Sequence, residues 1–257
     1  MKTQLTAWLI AAASTLVAVP ADAIEFKVYP YMTPKKGETE AAYWFTNIVK
    51  SDKPYDYFGK TLDREGLQRH SLEIEHGVTD HWTIAGYADF ENPVGGDFKY
   101  VRARALVTRY RFFEKGERFV DPALYVEYYL PYHKYSDNEK IEARVILEKD
   151  VGPVAVILNP IFEKNISGEV EEGVELEYAA GIYLSDLLPW LTPGVEFYGE
   201  VGELGDMEPA DEQEHFVFPA VKVRLPEEMA VDLGYGFGLT RGSDDQVLKV
   251  ILEMEMD

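Results

Sequence analysis

The side chains in this chain that could do chemistry are mostly charged groups set two residues apart. Arg69, Glu73 and Glu75 form one set. Arg102 with Arg104, Glu127, and Glu142 with Arg144 and Glu148 come next. Glu175 with Glu177, then Glu196, Tyr198 and Glu200, continue the pattern, and Lys222 with Arg224, Asp232, and Lys249 with Glu253 complete it. Even steps along an extended strand place such groups on one face. If that face lines an interior, two outcomes stay open. An acidic excess along a water-filled path would admit cations, whereas charges taken out of water would demand partners and close the interior with ion pairs.

Other chemistry is harder to assemble. Nucleophilic catalysis needs a hydroxyl and an imidazole on one face within hydrogen-bond reach. His70 and Ser71 are neighbours on one strand and point to opposite faces, and His76 shares the parity of His70. His81 and His133 fall in connections, and His215 begins a strand near a rim, so no enzyme is expected. Residues 203 to 212 hold Glu203, Asp206, Glu208, Asp211 and Glu212 without the glycine and ligand spacing of a calcium loop. The chain has no cysteine and no histidine cluster, so neither a metal nor a cofactor is expected.

The elements that must position these charges are strands. From Met229 to Leu239 every second residue is large and apolar, with Ala230, Asp232, Gly234, Gly236 and Gly238 between them; after a polar turn the alternation resumes from Leu248 to Met256. The same period predicts ten earlier strands: 39–50, 66–78, 82–90, 98–112, 119–130, 139–149, 153–163, 172–184, 193–201 and 213–225. In the fourth, Val101, Ala103, Ala105 and Val107 oppose Arg102, Arg104, Thr108 and Tyr110. In the first, Ala41 to Phe45 is apolar on both faces and its orientation is open. Gly234, Gly236 and Gly238 leave one wall thin, making room for a neighbour such as Tyr198 or for a solute.

An even strand count with alternating long and short connections is the pattern of a closed antiparallel transmembrane β-barrel of outer-membrane type, here with twelve strands. A soluble sandwich gives the same alternation, but the apolar faces carry almost no charge at mid-strand. Trp82, Phe90, Tyr128, Phe162 and Phe218 fall towards strand ends, where aromatic girdles are expected.

Lys2, the apolar run from Leu5 to Val19 and the small-residue site at Ala21, Asp22 and Ala23 read residues 1–23 as a signal peptide for Sec-type export. Residues 24–38, with Pro30, Pro34 and Lys35–Lys36–Gly37, read as an extended segment lying in the periplasm or entering the lumen, and residues 39–257 as the barrel. A net charge of −21 argues against nucleic acid as a partner. The expected surroundings are outer-membrane lipid and lipopolysaccharide.

At Leu233 to Asp245, the run Gly-Tyr-Gly-Phe-Gly-Leu-Thr-Arg-Gly-Ser-Asp-Asp resembles the MetA-pathway-of-phenol-degradation family of bacterial outer-membrane barrels. The resemblance is sharpest over the last thirty or so residues. It implies an outer-membrane protein passing small, often hydrophobic compounds, with no catalytic residues to carry over. Such barrels usually end in an aromatic residue, whereas this sequence ends Met254, Glu255, Met256, Asp257. The sequence thus points to a channel or transporter for passive passage of a small solute, with a non-conducting structural or surface-binding barrel as the alternative.

Overall fold

The computed structural model describes residues 25–167, 173–185 and 188–256. The expected signal peptide and its cleavage site lie outside the described residues, as does Glu172, where the eighth strand was expected to begin. There are fifteen strands and no helix among the described residues. They are β1 (Thr39–Lys50), β2 (Pro54–Tyr57), β3 (Lys60–Asp63), β4 (Gln68–Thr79), β5 (Trp82–Asn92), β6 (Lys99–Arg111), β7 (Asp121–Pro131), β8 (Lys140–Val151), β9 (Val154–Asn165), β10 (Glu175–Leu184), β11 (Leu191–Glu203), β12 (Asp206–Met207), β13 (Glu214–Arg224), β14 (Met229–Gly238) and β15 (Gln246–Met256).

Twelve of these form a closed antiparallel barrel. Each pairs with the next in chain order, and β15 returns to β1, with Thr39 opposite Met256. The other three decorate one end: β2 and β3 make a hairpin between β1 and β4, and β12 folds against β11. That end, where connections are longer, is called here the loop end, and the opposite one the turn end. Leu72, Ile74, Ile84, Leu158 and Ile182 lie exposed on the outer surface, as a wall facing hydrocarbon requires. The uncertain first strand resolves cleanly: Ala42, Trp44 and Ile48 are buried inside, whereas Tyr43 faces out.

Two expectations about faces fail in β6: Val101, expected outward, is buried inside where the pairing with β5 slips between Tyr100 and Arg102, and the alternation reverses again further along. Leu106 adopts φ 52°, and the pairing with both neighbours slips around it. A bulge adds one residue and reverses the side-chain alternation beyond it. Val107, Arg109 and Arg111 therefore point inward and Tyr110 lies exposed, the reverse of the expected parity. Leu106 itself is 81% exposed.

Phe218 is also corrected. It is fully buried inside the barrel rather than in a girdle, because it alternates with the outward Val217 and Pro219. Trp82 and Phe162 do lie exposed on the outside.

Candidate functional site: a lumen and its closures

A twelve-stranded barrel is wider inside than its own side chains readily fill. Residues 25–38 enter the interior from the turn end and run up to mid-barrel. Pro30 and Pro34 have no N–H to offer a ladder, so this strap joins no strand, and wall side chains satisfy its backbone instead. The Tyr29 N–H donates to Asn159 Oδ1 (2.8 Å), and Asn159 Nδ2 donates back to the Tyr29 carbonyl (3.2 Å). The Tyr31 N–H donates to Glu148 Oε2 at 2.7 Å. Gly77 lets the strap leave, since a Cβ there would collide with the Lys35 carbonyl.

The strap's side chains are as firmly held. Glu25 pairs with Arg104 and, at 3.8 Å, Arg144. Phe26 packs among Tyr198, Phe216 and Phe218, with ring centroids 4.8–5.3 Å away. Lys27 lies 3.5 Å from both Glu73 and Glu253 and 4.5 Å from the centre of the Trp44 ring. Burial alone would lower the Lys27 pKa, but Glu73 and Glu253 raise it above the ordinary lysine value, so it stays cationic. Burial raises the Tyr29 and Tyr31 phenols as well.

Most of the charges singled out by spacing meet inside. Arg69 reaches Glu91 at 3.1 Å, Arg102 reaches Asp89 at 2.9 Å, and Arg104 shares Asp89 and lies 3.8 Å from Glu127. Glu75 holds Arg109 at 2.9 Å, Glu142 holds Arg144 at 2.9 Å, and Glu148 holds Lys115 at 2.5 Å. Lys249, 1% exposed, contacts Glu196 (2.5 Å), Asp232 (3.4 Å) and the Tyr198 hydroxyl (3.1 Å). Lys222 meets Glu253 at 2.5 Å. Glu175 and Glu177 gather with Glu163, their carboxylate oxygens within 4.8 Å of one another, and Glu200 stands opposite Glu177. Lys140 holds Glu163 at 2.6 Å. Arg224 is bonded to the Pro189 carbonyl at the turn end.

Spacing did not find several partners. Arg109 and Arg111 were hidden by the Leu106 bulge. Asn159 lies in a nearly all-apolar strand, and one polar side chain there was the available signal. Phe26, Val28, Tyr29 and Tyr31 crowd a segment outside any strand, and such apolar density predicts a buried path.

The loop end is closed by an apolar layer. Tyr55 and Tyr57 of the β2–β3 hairpin are buried in one cluster with Phe26, Phe216, Phe218 and Ile161. The hairpin is latched to the β14–β15 loop: Ser51 donates to Asp244 (2.6 Å), Lys53 to the Ser243 carbonyl (2.5 Å), and Arg64 pairs with Asp244 (3.0 Å). Tyr57 donates to the Asp97 carbonyl at 2.6 Å, and burial together with Glu91 pushes its phenol up to about 12. The small-residue corridor serves this layer. A Cβ on Gly236 would strike the Phe218 ring, and one on Gly234 would crowd Lys249 and Phe218, so the neighbour accommodated is Phe218.

The turn end is hollow. Cavities of about 450 and 280 Å³ lie on the two sides of the strap and share Lys27, Pro30, Lys222, Arg224 and Glu253 in their walls.

The histidines are engaged elsewhere. His70 meets the Tyr43 hydroxyl on the outer face, His76 meets Thr39, and His81 meets Glu114. The His215 ring contacts Tyr178 and Gln213, while the Ser243 hydroxyl donates to the His215 backbone carbonyl rather than its ring. In the acidic loop, Asp211 and Glu212 pair with Arg241.

No family model matches the chain, and no characterised protein matches by sequence. Among solved structures, the fold is similar to that of an outer membrane channel from Pseudomonas putida F1, at 12% identity and a TM-score of 0.62, covering 90% of this chain and 100% of that one. The translocator domain of autotransporter NalP from Neisseria meningitidis aligns over 86% of this chain and 88% of its own, at 8% identity and a TM-score of 0.45. LpxR from Salmonella typhimurium aligns over 84% and 99%, at 10% identity and 0.44. Only the first likeness is strong enough to speak for the fold, which is that of outer-membrane barrels.

Proposed function

We propose that this protein is an outer-membrane channel for passive passage of a small solute, held shut in the present state by the strap and the β2–β3 hairpin. The observation that carries the reading is where the obstruction sits. Towards the turn end, open cavities flank the strap on both sides. The loop-end half is filled by wall residues such as Tyr198, Phe216 and Phe218 and by two segments that belong to no wall strand, with Phe26 from the strap and Tyr55 and Tyr57 from the hairpin. Segments outside the ladder can move without breaking the barrel. The fold it shares with a channel supports the same reading, as does the resemblance of the last hairpin to the MetA-pathway-of-phenol-degradation barrels. On this reading the turn end faces the periplasm, and lipid and lipopolysaccharide surround the wall.

A second reading, a barrel that never conducts, draws on the ion pairs that span the interior. Planar-bilayer recording separates the two. The folded protein should show rare or small openings, and deletion of residues 25–33 together with the hairpin residues 54–63 should give a steady conductance many-fold larger. A deletion variant that keeps its heat-modifiable, folded migration and still conducts nothing would establish the second reading.

A further inference from the structure

The hairpin that fills the loop end is not part of the wall it closes. β2 and β3 pair with each other and join no wall ladder, and an isolated two-stranded hairpin is marginal in water. Its base is tied, since the Arg64 N–H donates to the Lys53 carbonyl (2.9 Å), so residues 53–64 form one body. Beyond that base the chain is fixed to the wall again, where the Gly66 N–H donates to the Ile48 carbonyl (2.7 Å). Tyr55 and Tyr57 seat the body in the apolar layer, yet the buried Tyr55 hydroxyl has no hydrogen-bond partner among the described residues. The seated position thus keeps a polar group dry that an outward swing would wet.

The loop that holds the hairpin is built the other way. Residues 239–245 are fastened to the start of β13. The Leu239 N–H donates to the His215 carbonyl (2.8 Å) and the Thr240 hydroxyl to the Gln213 carbonyl (2.5 Å). The Ser243 hydroxyl accepts from the His215 N–H (2.7 Å) while donating to the His215 carbonyl (2.8 Å). Fixed in this way, the loop presents two acceptors to the hairpin, the Ser243 carbonyl and the Asp244 carboxylate. Lys53 takes the first at 2.5 Å. Asp244, 1% exposed, receives both stems: Ser51 from the outgoing one (2.6 Å) and the buried Arg64 from the returning one (3.0 Å). Arg64 also reaches Glu214, at a looser 3.8 Å.

We propose that this loop is the lock of a lid: residues 53–64 swing outward as one body about residues 51–52 and 65–66, and the Asp244 carboxylate is the contact whose loss releases them. The end of the Leu233–Asp245 run thereby acquires a role, with Ser243 fixing the loop to the wall and Asp244 holding the lid. A buried charge left without its partner is driven towards water, so loss of Asp244 sends Arg64 outward and the lid with it. The inference rests on the channel reading for what release accomplishes, but the lock itself does not require that the barrel conduct.

The test is limited chymotrypsin digestion of the full mature chain in lipid nanodiscs, read by mass spectrometry at Tyr55, Tyr57 and Phe58. Cleavage there tracks the population of the open lid. Asp244→Ala should speed it by about tenfold or more, Arg64→Gln on the lid itself should do the same, and the two together should add little to either. Tyr55→Phe, which removes the dry hydroxyl and keeps a cleavable ring, should slow it by about threefold or more. Lys50→Gln, which breaks only the exposed pair with Asp245 (2.7 Å), should leave it unchanged. Nicking unmoved by both Asp244→Ala and Arg64→Gln, in barrels that keep their heat-modifiable, folded migration, would overturn the lock, as would cleavage that spreads equally into the wall strands. Faster nicking in a protein that stays silent when both segments are deleted would sink the channel reading alone. Conductance from that double deletion, with nicking indifferent to Asp244, would sink the lock alone.

Discussion

The two halves of the bore are built on opposite principles. Towards the loop end, aromatic rings and fully buried ion pairs fill the space, and Tyr198, Phe216, Phe218 and Lys249 have at most 1% of their surface exposed. Towards the turn end the same kind of charges surround open volume, and the Lys222 side chain is 39% exposed. The difference teaches that an inward-facing charge does not by itself mark a conduit. In the packed half each charge holds a neighbour in place, and beside the cavities a pair such as Lys222–Glu253 also keeps contact with open space.

Two lysines make the sharpest contrast. Lys249→Met leaves the fully buried Glu196 with only the Tyr183 and Tyr198 hydroxyls as partners, and removing one partner of a buried pair costs about 3–5 kcal/mol. Lys222→Met removes a half-wet pair and should cost about 0–1 kcal/mol. Urea unfolding of both variants in liposomes checks this, and equal losses would erase the distinction between the halves. Restoring Lys249→Met with Glu196→Leu should recover most of the loss.

Packing gives a smaller effect. Gly236→Val forces a side chain into the Phe218 ring and should cost about 1–3 kcal/mol. Adding Phe218→Ala should partly relieve it, and a neutral Gly236→Val would mean the layer is loose. Smallest is Tyr57→Phe, which removes the hydrogen bond to Asp97 and should weaken the hairpin's seat by about 1 kcal/mol. Faster proteolytic nicking within residues 54–63, with the barrel intact, is the expected readout.

Much of the architecture was legible in the sequence because a strand in a closed wall separates two media, and period-two alternation records that directly. The charged positions followed from the same parity. Parity, however, counts residues and cannot see a bulge, so Leu106 concealed Arg109 and Arg111. Nor can it tell an aromatic ring at a girdle from one inside the bore, and Phe218 was misplaced although its own neighbours, Val217 and Pro219, already fixed its face. The strap was the larger loss. Buried on all sides, its side chains show no preferred face, and its prolines look like those of a free linker. Which charges pair across the interior depends on strands distant in the chain, and a single sequence carries no record of that.

The junction of β1 with β15 joins residues from 196 (Lys50 and Gln246) to 217 (Thr39 and Met256) positions apart, and the strap leads into Thr39 through only the short Lys35–Glu38 turn. Contacts so distant along the chain form late, since the entropy of closing so long a loop is lost first. Sealing the wall and filling the bore then become one kinetic event. A barrel arrested before that step would present an open strand edge together with a protease-accessible N-terminal segment, and both should vanish with a single rate.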